Sequence, residues 1–300
     1  MPLRFVRVGV VLGVAVSVVA GMVGTACRRK PAPAPPMATA SLRLSHDRAP
    51  LGSPLEMTYK FVVAGDARFT EDYRVMVHVV DGDGELIFTF DHNPPTPTSQ
   101  WKPGQTIEYT RTEFIPIYPY VGDAGIQIGL YSTQSQKRVS LAGGEDTGQR
   151  AYKVAKLQLQ PQTENVFVVY KDGFHPAEQA LQNAAVEWQW TKKDGTLAFK
   201  NPKKDSVLYL DVDHPDSVFK DPQEVQVAVN GKTLETFTLN AGDHPLKRIP
   251  LKAADLGADD MVELHVSVDK TYVPALLNVS NNKDPRELGV RIFHAFVDAR

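Results

Sequence analysis

The feature that most constrains the fold of this chain is an alternation of apolar and polar residues over short segments. Leu55, Met57, Tyr59 and Phe61 occupy every second position, so an extended backbone places all four on one face. Similar segments recur roughly every 10–20 residues, separated by Gly, Pro and Asp, without a long amphipathic helical pattern. This pattern predicts an all-β protein made of β-sandwiches. The predicted strands are 41–44, 55–63, 73–80, 86–90, 106–112, 125–131, 166–170, 186–190, 196–199, 207–212, 225–229, 233–239, 261–268 and 290–297.

The length of 300 residues suits two domains of ordinary size. We expect domains at 41–160 and 161–300, with a boundary at 161–163. Asn230-Gly231 is a strong hairpin signal, and 251–257 is compatible with a single helical turn. The run 81–85 (Asp-Gly-Asp-Gly-Glu) superficially resembles a calcium loop, but it is too short for an EF-hand, so a hairpin turn is the favoured interpretation.

The N-terminus has the order of an export signal. Arg4 and Arg7 precede an uncharged run at 8–26, and Cys27, the sole cysteine, follows small residues. The segment 23–27 resembles a bacterial lipobox, which implies a signal peptide at 1–26 and lipidation of Cys27. The alternative is an uncleaved membrane anchor at 8–26, since such a run can just span a bilayer as a helix.

Residues 27–40 combine the lipidated cysteine, a basic triplet and a Pro/Ala linker that favours an extended spacer. These features predict a lipid-anchored protein of the bacterial cell envelope. Arg28 follows the cysteine, where Asp would favour inner-membrane retention, so the outer membrane is expected if the organism has one.

Two sets of motifs resemble known bacterial modules. The segments 73–84, 97–104 and 129–131 resemble the Ig-like β-sandwich attached to membrane glycosyltransferases and other surface proteins, although Gln105 stands where Glu is usual and 115–120 is an insert. The segments 173–178, 188–191, 225–231 and 284–290 resemble a galactose-binding-like jelly roll of surface glycoconjugate proteins. The resemblance implies accessory modules without a catalytic domain.

Six residues are candidates for ligand binding: Trp101, Tyr118, Tyr120, Trp188, Trp190 and Arg286. Trp188 and Trp190 share one face of a strand, where they could form a sugar-stacking platform or fill the core. Trp101 could contact a ligand or close one end of the sandwich. Tyr118 and Tyr120 suit exposed loop contacts. Arg286 could bind a ligand or form a structural ion pair, with Glu178 or Asp172 as the candidate partner.

Several classes of function lack sequence support. The formal net charge of −2 argues against nucleic-acid binding. Histidines are scattered, and no metal, nucleotide or nucleophile-elbow motif occurs in the sequence, so neither a metal nor a cofactor is predicted. We therefore expect a non-catalytic envelope lipoprotein that binds or scaffolds a glycan or a protein. The alternatives are a structural subunit of an envelope assembly or secretion complex and, with less support, a glycan-modifying enzyme.

Overall fold

The computed structural model describes residues 34–117, 120–162, 167–181, 183–214, 218–219, 221–277 and 282–299. The predicted signal peptide, Cys27 and Tyr118 lie outside these ranges. Contacts divide the chain into Met1–Ala34 and Pro35–Arg300, and only the second unit is considered below. Among the described residues, no helix has both the length and the apolar character needed to cross a bilayer.

The described chain is almost entirely β, which confirms the predicted fold class. The first ten strands are β1 (Ala38–Leu44), β2 (Arg48–Pro50), β3 (Pro54–Val63), β4 (Arg74–Val80), β5 (Leu86–Thr89), β6 (Thr106–Phe114), β7 (Gly122–Tyr131), β8 (Leu141–Ala142), β9 (Glu145–Gly148) and β10 (Ala151–Gln160). The next ten are β11 (Val168–Tyr170), β12 (Glu178–Ala180), β13 (Asn183–Trp190), β14 (Asp194–Lys200), β15 (Ser206–Asp213), β16 (Gln223–Val229), β17 (Lys232–Leu239), β18 (Leu246–Leu251), β19 (Met261–Val268) and β20 (Arg291–Asp298). One short helix, α1 (Ala253–Leu256), lies in the predicted helical turn, and 3-10 turns occupy Thr98–Gln100 and Pro274–Leu276.

Strands β1–β10 form an N-terminal sandwich of two sheets, with the orders β6-β3-β1-β8 and β2-β10-β7-β4-β5; β9 pairs with β10. Strand β1 begins at Ala38, so the last three residues of the linker predicted at 27–40 belong to this strand. The residues predicted to share one face of β3 (Leu55, Met57, Tyr59 and Phe61) are all fully buried between the sheets. Burial of one face fixes the register, because a slip by one residue would expose all of them.

Strands β11–β20 form a C-terminal sandwich with the sheet orders β11-β14-β19-β16-β17 and β12-β13-β20-β15-β18. Its buried core consists almost entirely of Val, Leu and Ile, with Phe199 as the only aromatic member among the described residues. The predicted hairpin joins β16 to β17, with Asn230 at φ 49° and Gly231 at φ 75°. Both angles suit the left-handed two-residue turn that connects antiparallel strands.

The acidic run after β4 is a turn, as predicted. The Asp81 carboxylate accepts hydrogen bonds from the backbone N–H groups of Asp83 and Glu85, which closes the turn towards β5. Within the described ranges, no group of three or more His, Cys, Asp or Glu side chains has the arrangement of a metal site.

Candidate functional site

The candidate site lies on the outer face of the sheet β12-β13-β20-β15-β18, and a β-bulge in β20 creates it. Asp211 of β15 pairs with His294, whereas Val212 pairs with Ile292, so Phe293 is an extra residue in β20. Ile292 and Val297 face the core on either side of the bulge, and Phe293 and His294 consequently both lie on the outer side. Bulges commonly redirect side chains in this way next to functional sites. We call this outer surface the aromatic face; its members are Trp188, Trp190, Asp211, Asp213, His244, Arg291, Phe293 and His294.

Trp188 and Trp190 share this face, as the sequence predicted, but neither belongs to the core between the sheets. Trp190 is only 7% exposed, because it lies under Tyr272, with 6.0 Å between ring centroids. Trp188 is partly buried and contacts Phe293 at 5.8 Å between ring centroids. The two-ring platform, one of the two predicted arrangements, is therefore wrong for Trp190, whereas part of the Trp188 ring is exposed.

Arg291 supports these rings from within the sheet. Its guanidinium carbon lies 5.2 Å from the ring centroid of Trp188 and 5.4 Å from those of Trp190 and Phe293. The guanidinium also donates hydrogen bonds through Nε and Nη2 to the buried carboxylate of Asp213, with 2.7 Å between Nε and Oδ1. A cation held in this way orients the rings on which it stacks.

Two exposed histidines share the Asp211 carboxylate. His244 Nε2 lies 2.9 Å from Oδ1 of Asp211, and His294 Nδ1 lies 3.1 Å from Oδ2. Burial opposes ionisation of Asp211, but the hydrogen bonds from the two imidazoles together outweigh it and lower the pKa of this carboxyl. The hydrogen bond with Asp211 raises the pKa of His244, and the His244 ring packs 4.5 Å from Phe293.

Arg286 lies beside Trp188 and forms the structural ion pair that was one of its two predicted roles. Its guanidinium is 2.6 Å from Glu178, which pairs with Trp188 across β12 and β13, and 2.7 Å from Asp284. Arg286 lowers the pKa of the Asp284 carboxyl through these hydrogen bonds. The side chain is thus held at the edge of the aromatic face, where one third of it is exposed.

The aromatic candidates of the N-terminal sandwich are not assembled into this site. Trp101 is 4% exposed, packs against Phe61 and Phe69, and donates from Nε1 to the Thr96 carbonyl at 2.9 Å, so it closes the core and is not a ligand contact. Tyr120 is partly buried against the same core, and its hydroxyl donates to the Asp123 carbonyl at 2.7 Å. Tyr118 lies outside the described residues.

The sequence did not single out Phe293, His244, His294 or Asp211. Segment 290–297 was predicted as a regular strand, in which Phe293 and His294 would face opposite sides. The bulge that brings both outwards has no recognisable sequence signal, and His244 comes from the connection between β17 and β18.

Comparisons with known proteins give no family for this chain. No protein-family model matches it, and no curated protein matches it. Many solved structures show a likeness to parts of it.

The tandem CBM22-1–CBM22-2 domains of Paenibacillus barcinonensis Xyn10C are 9% identical, with a TM-score of 0.26, and the match covers 83% of this chain and 80% of theirs. The CBM51-2 and INT domains of Clostridium perfringens ZmpB are 10% identical, with a TM-score of 0.26 and coverage of 61% and 38%. The Pseudomonas fluorescens alkylpurine DNA glycosylase AlkC is 11% identical, with a TM-score of 0.24 and coverage of 42% of this chain. This chain spans only 31% of the AlkC chain, and at these TM-scores the likenesses carry no inference about function.

Proposed function

We propose that this protein is a membrane-anchored, non-catalytic glycan-binding protein of the bacterial envelope, and that it binds glycans at the aromatic face. The observation that carries the proposal is the accessible Trp188 ring beside Phe293, bordered by polar groups whose orientations are fixed. Aromatic rings offer large apolar surfaces to a ligand, and a few well-placed polar groups give it orientation. A sugar, with apolar ring faces and hydroxyl edges, matches that combination.

Two carboxylates, Asp211 on the aromatic face and Asp284 at its edge, lack the character of a glycosidase general acid. A general acid that cleaves glycosidic bonds needs a raised pKa. The pKa of Asp211 is lowered, since the hydrogen bonds from its two histidines outweigh the effect of burial. Asp284 at the edge is held ionised by Arg286. Both carboxylates are better suited to accept hydrogen bonds from hydroxyl groups than to protonate a leaving group.

Attachment to the membrane through Cys27 is the second part of the proposal. It rests on the N-terminal sequence, namely the export-signal order, the lipobox resemblance and the basic Pro/Ala linker. Mass spectrometry of the native protein tests it: we expect an N-terminus at an acylated Cys27 and the loss of membrane association in Cys27→Ser. An intact Met1 with an unmodified thiol would contradict lipidation.

Glycan binding is tested by applying the purified unit Pro35–Arg300 to a glycan array. We expect Trp188→Ala to reduce the signal at least tenfold on the glycans that the wild type binds, because the stacking surface is removed. Phe167→Ala is the matched control, since Phe167 is an aromatic residue that is 49% exposed before β11, which belongs to the opposite sheet. Unchanged binding in Trp188→Ala, or an array without any signal for the wild type, would refute the proposal.

A further inference from the structure

The aromatic face continues into the N-terminal sandwich through one ring contact. Phe114, the last residue of β6, stacks on His294 with 4.2 Å between ring centroids and an angle of 3° between the planes. Beside this contact, Arg248 forms an ion pair of 2.8 Å with Glu56 and donates a hydrogen bond of 2.5 Å to the Thr112 hydroxyl. The two sandwiches therefore meet at the edge of the candidate site.

Five rings and the Asp211 carboxylate form a continuous path across the contact between the two sandwiches. Trp188 contacts Phe293, Phe293 contacts His244, and Asp211 joins His244 to His294 by hydrogen bonds. His294 then stacks on Phe114. Both histidine side chains are nearly half exposed, at 47% and 46%, so the path can be reached from solvent between its two ends.

The charges along this path are paired. Asp213 pairs with Arg291, Glu56 pairs with Arg248, and Asp211 pairs with the two histidines. Glu178 and Asp284 at the Trp188 end share Arg286. Five carboxylates along this path face three arginines and two histidines, which leaves no unpaired excess of positive charge for a polyanion and suits a ligand that binds through rings and hydroxyl groups.

We propose that the ligand is a neutral, linear oligosaccharide several sugar units long, bound along this path with one end at Trp188 and the other at Phe114. The inference rests on the proposed function and adds the class of glycan and a specificity residue from the other sandwich. A monosaccharide would contact only one end. A longer chain would contact both, so that Phe114 selects for chain length.

The test is isothermal titration calorimetry of the unit Pro35–Arg300 with cello-, xylo-, manno- and galacto-oligosaccharides of one to six units. Oligogalacturonides of the same lengths serve as anionic probes. We expect the affinity for one neutral series to rise at least tenfold between the disaccharide and the tetrasaccharide or a longer member. Phe114→Ala should abolish that gain with length, whereas Trp188→Ala should weaken binding at every length.

Two controls separate ligand contact from loosening of the junction. Arg248→Met removes the ion pair and the hydrogen bond between the sandwiches but no ring, and should retain the dependence on length. Phe114→Trp keeps a ring and should also retain it. An equal loss in Arg248→Met and Phe114→Ala would overturn the role of Phe114 as a ligand contact.

The outcomes also distinguish this inference from the proposed function. Trp188-dependent binding that is independent of chain length or of Phe114, or tighter binding of oligogalacturonides, would overturn the inference alone. Failure of every series to bind, together with an empty glycan array, would overturn the proposed function and this inference with it.

Discussion

The two sandwiches use their aromatic residues in opposite ways. The N-terminal sandwich buries Tyr59, Phe61, Phe69, Tyr73 and Trp101 in the core between its sheets. The C-terminal sandwich fills its core with aliphatic side chains and places Trp188, Trp190 and Phe293 on the outside of one sheet. Trp188 and Phe293 stay partly exposed there and so give up part of their possible burial energy, which supports the proposal that the C-terminal sandwich is the part that binds.

Deleting one tryptophan in each sandwich tests this contrast most strongly. We expect Trp101→Ala to lower the free energy of unfolding by about 3–5 kcal/mol, because a buried ring is lost and a cavity remains. Trp188→Ala should cost less, about 1–2 kcal/mol, since its ring is partly exposed and loses the contacts with Arg291 and Phe293. Urea denaturation measures both, and equal losses would contradict the contrast.

The two sandwiches should also respond to pH with opposite slopes. Burial lowers the pKa of His92 in the N-terminal sandwich to about 4, and its ring bonds the Phe90 carbonyl and the Tyr109 hydroxyl. A depressed histidine pKa contributes stability that is present above the ordinary value of 6.5 and is lost as the pH falls towards 4. The loss should approach about 3 kcal/mol.

In the C-terminal sandwich, the raised pKa of His244 contributes stability that is fully present below 6.5 and is lost as the pH rises through the raised value. The Asp211 carboxylate contributes above its ordinary value of 3.8, and that contribution is lost as the pH falls through its lowered value. Because nearly half of His244 is exposed, the effect should stay below about 1 kcal/mol.

Hydrogen exchange of amides in β3 and β19 reports the two sandwiches separately. From pH 6.5 down to pH 5, β3 should lose protection free energy and β19 should not. As the pH rises above 6.5, β19 should instead lose protection free energy, and Asp211→Asn should flatten that slope and leave β3 unchanged. Parallel slopes in the two strands would show that these histidines do not control local stability.

Ion pairs give a third comparison. Asp213→Asn should destabilise the protein by about 1.5–3 kcal/mol, since it weakens a charged hydrogen-bonded pair that is largely buried. The Lys60–Glu108 pair of the N-terminal sandwich is about half exposed, and Glu108→Gln should change stability by less than about 0.5 kcal/mol. Thermal unfolding measures the stability of both variants. A loss of stability in Glu108→Gln as large as that in Asp213→Asn would refute the predicted order of the two ion pairs.

The smallest expected difference concerns two glycines. Gly231→Ala should cost about 1 kcal/mol, because alanine is strained at a φ of 75° in the β16–β17 hairpin. Gly65→Ala in the N-terminal sandwich meets no atom within 4 Å and has no positive φ, so it should be nearly neutral. Denaturation midpoints measure both variants, and a neutral Gly231→Ala would show that the turn adopts another geometry.

Local patterns were sufficient to predict much of the fold. Alternation along β3 and β4, the Asn230-Gly231 hairpin and the turn at α1 depend on neighbouring residues, whose chemistry is readable in order. Short strands such as β9 and β12 were not predicted, because pairing with a neighbouring strand and not their own composition makes them extended. The prediction also missed two longer strands, β10 and β18.

The sequence by itself determined that the protein is all-β, that Trp188 and Trp190 share a face, and that its one cysteine lies in a lipobox-like context. Only the tertiary structure decided that this face is the outside of the sheet, that Tyr272 covers Trp190 and that Arg286 pairs with Glu178. It also decided that Phe293, His244, His294 and Phe114 join Trp188. A period of two shows which residues share a face, but which face is covered depends on strand order, on a bulge and on contacts between residues far apart in the chain.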